Sequence, residues 1–252
     1  MIRLFAFALA LLVPLAALAE EVVAGLSQNR VAITARFDGS EILVFGAIKR
    51  DAPVPEDPFE VTVVIAGPST PITVRRKDNQ MGIWVNTDAV QIDAAPSFYA
   101  IATSSSFDQT LSDEEDTRNR VSIDRVIREV NVPPGITDPD AFLDALVRLR
   151  TQNGIYQFNE YAVQLSEKTL FRTAIALPAN LTEGIYRARI FLTRDGEVID
   201  KYETWIDVSK VGLERWLFNL AHEQPLAYGI LALVIAVISG WGASEIVRYV
   251  RR

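Results

Sequence analysis

The chain has 252 residues, 49% of them hydrophobic, with 32 acidic against 25 basic residues and a formal net charge of −7. Four of those basic residues (Arg3, Arg248, Arg251 and Arg252) and one of the acids (Glu245) lie at the two ends, so the stretch between them carries about −10, which argues against nucleic acid and against a polybasic lipid-binding surface as partners. Cysteine is absent, which excludes a disulfide framework, a thiol nucleophile and a thiolate metal site.

Residues 1–19 read as a secretory signal. Arg3 supplies a positive start, an apolar run follows, and Ala17-Leu18-Ala19 is a small-residue cleavage site that would leave Glu20 as the mature start, with an uncleaved signal anchor as the alternative. The apolar run of residues 4–16 is about 20 Å long as a helix, too short to cross a bilayer core of roughly 30 Å.

Residues 20–208 are expected to form one outward β domain. In "RVAITARFDGSEILVFGAIKR", Val31, Ile33, Ala35 and Phe37 alternate with polar positions, Asp38-Gly39 signals a turn, and a buried strand follows. "FEVTVVIAGPSTPITVRRK" repeats the scheme of strand, Gly-Pro turn and strand. "MGIWVN", "AVQIDA" and "SFYAIATS" are three further short strand candidates. A polar, helix-prone insert then covers about 107–156. Ser112-Asp113-Glu114-Glu115 is a capping box, with i,i+4 pairs expected at Glu114–Arg118 and Asp116–Arg120. "RVSIDRVIREV" fits neither helix nor strand period. Beyond Pro133-Pro134-Gly135, Thr137 or Asp138 caps a clearer helix whose face is Phe142, Leu143, Leu146 and Leu149.

After the insert, Asp195-Gly196 lies between two alternating runs and predicts a tight hairpin. Tyr186, Ala188, Ile190 and Leu192 share one face of the first run; Tyr202, Thr204, Ile206 and Val208 share one face of the second. Many short strands with Gly/Pro turns give a mainly β fold class: an immunoglobulin-like antiparallel β-sandwich with a helical insert. The last three strands are placed as E, F and G, with Tyr186 as the tyrosine-corner residue. Two separate β domains flanking the insert is the rival architecture.

Residues 209–225 form a juxtamembrane segment in which Val211, Trp216, Leu217 and Leu220 are expected on one face, with Pro225 separating it from the anchor. Residues 226–247 are apolar over about 33 Å as a helix, enough to span a bilayer. Arg248, Arg251 and Arg252 lie just beyond, so the tail at 248–252 is cytoplasmic by the positive-inside rule. The expected protein is therefore single-pass, in the inner membrane of a bacterial cell, with most of the chain periplasmic. Gly229, Ala232, Ala236, Gly240 and Ser244 recur three and four apart and make a small-residue stripe on which another membrane helix could pack.

Little else suggests chemistry. His222 is the only histidine, and "HEQP" lacks the second histidine of a zinc-protease helix. The run Asp113–Asp116 lacks a calcium-loop spacing and reads as a solvated helix start. Arg75-Arg76-Lys77 reads as a solvated strand end, with an anion site as the alternative. Met81 is the one methionine beyond the initiator, which leaves nothing resembling a copper-handling cluster. Asn180-Leu181-Thr182 is a glycosylation sequon of little meaning in a bacterium. No catalytic, cofactor-binding or metal-binding residue is assigned, and no cofactor is expected.

The stretches "RVAITARFDGSEILVFGAI", "FLDALVRLRTQNGIY", "FRTAIALPANLTEGIYRARIFLTRDGEVI" and "KVGLERWLFNLAHEQPLAYGILALVIAVISGWGAS" resemble the uncharacterised alphaproteobacterial family of putative transmembrane proteins. The resemblance implies a signal peptide, an outward β domain and one terminal helix, and carries no catalytic residues. It also implies an accessory role beside an integral-membrane transporter such as a sulfite-exporter-like permease. The expected function is thus a non-enzymatic, membrane-anchored periplasmic accessory or binding protein. The alternative is a membrane-anchored hydrolase or metal-dependent enzyme using carboxylates.

Overall fold

A computed structural model describes residues 20–34, 37–50 and 59–250. The leader at 1–19, Ala35 of the first alternating run, and Arg251 and Arg252 of the tail lie outside the described residues.

Thirteen strands among the described residues form three sheets. The first has four strands: β1 (Glu20–Leu26), β3 (Ser40–Arg50), β11 (Leu170–Leu177) and β10 (Gln164–Ser166), in that order. The central sheet has six: β2 (Arg30–Ile33), β13 (Glu197–Lys210), β12 (Gly184–Arg194), β4 (Glu60–Ala66), β7 (Tyr99–Thr103) and β9 (Tyr156–Asn159). The third is β5 (Ser69–Gln80), β6 (Ile83–Pro96) and β8 (Arg128–Asn131). Pairing is antiparallel except at two edges of the central sheet, where β2 runs parallel to β13 and β9 parallel to β7.

The central sheet is covered on both faces. Val61, Val63 and Ile65 of β4 and Tyr186, Ala188, Ile190 and Leu192 of β12 point to a core shared with Ile42, Val44, Phe171 and Ile175 of the four-stranded sheet. Val64 of β4, Tyr99 and Ile101 of β7 and Phe191 of β12 point the other way, into a second core closed by the third sheet and the insert. The run "VTVVIA", buried from Val61 to Ile65 with Thr62 as its one polar residue, follows from this, since a strand buried on both faces need not alternate. β4 and β7 precede the insert and β12 follows it, yet all three hydrogen-bond in one sheet. Mainly β architecture with antiparallel sheets is therefore the fold. The immunoglobulin-like placement is compatible with it: β11 lies in one sheet and β12 and β13 in the other. The Tyr186 phenol donates to the Thr182 carbonyl at 2.8 Å, as a tyrosine corner does.

Asp195-Gly196 forms the expected turn. Arg194 pairs with Glu197, and the two turn residues take φ of 51° and 80°, the left-handed conformations a two-residue hairpin needs.

Several local readings are corrected. β1 precedes the first expected strand. β3 is not buried throughout: Leu43 and Phe45 are exposed on its outer face while Ile42 and Val44 are buried. Gly67-Pro68 does separate two strands as expected, and these belong to different sheets, because Gly67 donates to the Phe98 carbonyl and Ser97 to the Pro68 carbonyl, which turns the chain out of the central sheet. "IWVN" and "AVQIDA" are parts of one strand, β6. Arg75, Arg76 and Lys77 lie inside β5 rather than after a strand.

The insert contains α1 (Phe107–Thr110), α2 (Asp113–Asn119), α3 (Ile123–Val126), strand β8 and α4 (Asp140–Gln152). Ser112 caps α2, its hydroxyl accepting from the Glu115 amide at 3.4 Å. Glu114 and Arg118 pair at 3.1 Å as expected. Asp116 does not pair with Arg120. Arg120 ends the helix at a left-handed φ of 51°, and Asp116 bonds Arg125 at 2.7 Å instead. In α4, Phe142 and Leu146 are buried but Leu149 is 51% exposed; Val147 packs against the core instead. Asp138 accepts from the Ala141 amide at 3.2 Å.

Candidate functional site

Beyond β13 the chain leaves the sheets through Val211, whose amide donates to the Ile33 carbonyl, and enters α5 (Leu213–Glu223) and α6 (Pro225–Val250). Gln224 breaks the helical path with φ −135° and ψ 66°. Pro225 then opens α6, where its missing amide hydrogen costs nothing. Helix α6 has 26 residues, about 39 Å at 1.5 Å per residue. Its window Pro225–Gly242 is long and apolar enough to cross a membrane, and none of that window is buried within the chain.

Gly229, Ala232, Ala236 and Gly240 are exposed on α6, and Ser244 continues the same backbone helix. At 100° per residue the five positions span an arc of about 120°. No heavy atom beyond the helix lies within 4 Å of where a β-carbon would stand on Gly229 or Gly240. From Gly229 to Gly240 the stripe is thus continuous and uncovered, which is the form a close helix contact requires. On α5, Trp216 and Phe218 are exposed while Leu217 and Leu220 are half-buried; Val211 precedes the helix. His222 is a local fixture, its Nδ1 lying 2.9 Å from the Phe218 carbonyl and its ring stacked on Phe218 at 4.0 Å.

Half of the acidic run at α2 is a solvated helix start, since Asp113 and Glu114 are exposed; the other half is not. Glu115 and Asp116 are 6% and 3% exposed. Asp116 Oδ1 accepts from the amides of Val121 and Ser122 at 2.9 and 2.7 Å, and its Oδ2 accepts from Arg125 Nε. Glu115 bonds Arg118 and Asn119. Asp116 holds the turn after α2, and Glu115 ties the last turn of the helix itself. Among the described residues, no three of His, Asp and Glu come together as metal ligands. In the basic run, Arg76 pairs with Asp88 at 2.6 Å and lies over the Phe142 ring, while Met81 stands fully exposed at the tip of the β5–β6 hairpin.

A feature absent from the sequence reading lies on the insert-facing side of the central sheet. Arg187 and Arg189 of β12, Trp205 of β13 and Asn119-Arg120 after α2 line a cleft of about 420 Å³, with Gly67-Pro68 at its other wall. Arg189 donates to the carbonyls of Asn119 and Arg120 at 2.6 and 3.1 Å and to the Tyr99 phenol oxygen at 3.3 Å. The Tyr99 phenol donates in turn to the Val121 carbonyl at 2.7 Å, and burial pushes its pKa up to about 12 against the opposing pull of Arg189. The Arg187 guanidinium lies over the Trp205 ring at 5.3 Å. The alternation Arg187-x-Arg189 was the available sequence signal: two cations two apart on a strand share one face.

No curated protein matches the chain. A family model described as "Putative transmembrane protein (Alph_Pro_TM)" matches residues 21–249, through both the β sheets and the terminal helix. The chain belongs to this alphaproteobacterial transmembrane family.

Proposed function

We propose that the chain is a non-enzymatic accessory module, fixed in the inner membrane by α6 with residues 20–224 on its outer side, that binds or assembles an integral-membrane partner. The observation that carries this reading is the uncovered apolar helix that follows the β domain by way of α5. Such a helix satisfies its own backbone and leaves its side-chain surface for lipid or for another helix. The orientation rests on sequence: a leader-like run at the front and arginines at the back. The transporter class comes from the family resemblance alone, and a sulfite-exporter-like permease is the partner it points to. Asp116 and Glu115, acids on which a carboxylate enzyme would draw, are engaged in bonds that hold the chain's own turns, and this favours binding over carboxylate chemistry.

Two experiments test the proposal. Reporter fusions after Ser209 and after Arg252 should behave oppositely; equal cytoplasmic activity from both overturns the topology. Crosslinking in native membranes followed by capture of the full chain should recover a polytopic membrane protein. Recovery of lipid alone overturns the accessory role.

A further inference from the structure

The cleft beside Trp205 has the features of a ligand site rather than of a packing fault. Three arginines line it, and among the described residues no acid does, in a chain with a net charge of −7. Their roles differ. Arg189 is structural, its donors taken by two carbonyls and the Tyr99 oxygen. That bonding fixes Arg120, held at φ 51° as the end of α2, at the rim of the cleft. The side chains of Arg120 and Arg187 donate no hydrogen bond to the described protein. Arg187 is held by its stack on Trp205, which orients the guanidinium without using its N–H groups.

The nearby acids on β13 are compensated. Glu203, opposite Arg189 in register, bonds Lys201, which with the neighbouring arginines holds its carboxyl below the usual range. Asp207, opposite Ile185, pairs with Arg30 at 3.3 Å. Ile185 and Trp205, 57% and 53% exposed, add an apolar wall.

We propose that this cleft binds a phosphate ester, with Arg120 and Arg187 taking the phosphate oxygens and Ile185 and Trp205 the organic part. Two guanidinium forks suit a dianion with three free oxygens better than a single carboxylate. The volume is that of a small-molecule site. The cleft lies on the half of β12 and β13 that leads to α5: Trp205 is about 17 Å along the strand from Lys210 at 3.4 Å per residue. A soluble ester and a lipid headgroup share this chemistry, and both can reach such a place. The inference does not depend on the accessory role, since capture of a partner and binding of a phosphate are read separately.

The test is calorimetric titration of the full chain in an uncharged detergent with phenyl phosphate and, separately, with dihexanoyl phosphatidic acid. Saturable binding of either is expected. Arg187→Gln and Arg120→Gln should each weaken it about 10-fold or more, as loss of a charge-assisted bond does. Arg187→Lys should fall between, and Arg75→Gln, an exposed cation on another sheet, should match the unaltered chain. Circular dichroism should be unchanged in all variants, because neither tested side chain holds the fold by a hydrogen bond. Stronger binding of phenyl phosphate identifies a soluble ester, and stronger binding of the lipid identifies a headgroup. No saturable binding of either, or equal binding by the Arg187, Arg120 and Arg75 variants, overturns the proposal.

Discussion

Arg189 donates to the Asn119 carbonyl at 2.6 Å, so a side chain of the central sheet closes the C-terminal end of helix α2. Helix ends leave carbonyls without intrahelical partners, and a cation placed there meets both the orphan group and the negative end of the helix dipole. Arg189→Met should therefore lower unfolding free energy by about 2–4 kcal/mol, since three bonds are lost but do not add. Arg189→Lys should recover little, because a single ammonium cannot reach two carbonyls and a phenol in the geometry of the fork. Denaturant unfolding of the full chain in detergent measures both.

At the other end of the domain Glu20 bonds Arg50 at 2.8 Å and Arg194 at 2.6 Å, with Glu20 and Arg50 side chains only 9% and 8% exposed. Removing the carboxylate leaves two poorly solvated cations facing each other. Glu20→Gln should cost roughly 3–5 kcal/mol, and the same change in an Arg50→Met background should cost less. Thermal unfolding of the four proteins of this cycle gives the coupling directly. Equal costs in both backgrounds would mean that Glu20 and Arg50 do not couple.

Alkaline pH should destabilise the second core. Burial pushes the phenols of Tyr99 and Tyr156 up to about 12, whereas in the unfolded chain they titrate near the ordinary value of about 10. Between these values the folded state holds protons that the unfolded state has released, so stability is complete below about pH 10 and falls as pH rises towards 12. The loss is on the order of 2 kcal/mol per tyrosine at the top of that window. Tyr99→Phe/Tyr156→Phe should start less stable, having lost the bonds to the Val121 and Pro96 carbonyls, but should show a flatter alkaline limb. Unfolding curves taken across this pH range, with tyrosinate absorbance in parallel, decide it.

The four-stranded sheet contains one position that only glycine fits. A β-carbon on Gly46 would stand 2.5 Å from the Phe171 ring and 2.6 Å from the Val23 carbonyl oxygen. Phe171 is a core residue and Val23 belongs to the neighbouring strand, so neither can yield freely. Gly46→Ala should destabilise by about 1–3 kcal/mol through overpacking. Gly25→Ala, where the nearest contact is the edge of Phe45 at 3.4 Å, is the matched comparison and should cost less.

What was legible in the sequence was local. Asp195-Gly196 announced its hairpin because the turn needs left-handed residues and two alternating strands on either side, all within a short window. Tyr186 announced its bond because Thr182 is four residues away. The β1 strand was missed because "EEVVAGL" follows directly on the leader and has no turn signal before it. The third sheet was unreadable because the choice between pairing β5 with β4 or with β6 depends on the closing bonds of Gly67 and Ser97 to residues across the link. Asp116 was given to Arg120 by helical spacing, but the helix ends at Arg120 and the spacing rule ends with it. The phosphate cleft joins Arg189 to residues some 70 positions earlier, so only the Arg187-x-Arg189 alternation hinted at it.

The small-residue stripe gives the most direct test of the central claim that α6 packs on an integral-membrane partner. Gly240→Ile or Ala236→Ile adds bulk where helices would meet and should cost on the order of 1–3 kcal/mol of association, some five- to a hundred-fold at 1.4 kcal/mol per decade. Val234→Leu changes the opposite face and should do little. The measurement is the amount of crosslinked partner recovered per anchored chain, for the three variants at equal expression and equal membrane insertion. The account predicts marked loss for Gly240→Ile and Ala236→Ile with full recovery for Val234→Leu. Equal recovery from all three would show α6 to be a plain anchor and contradict the claim.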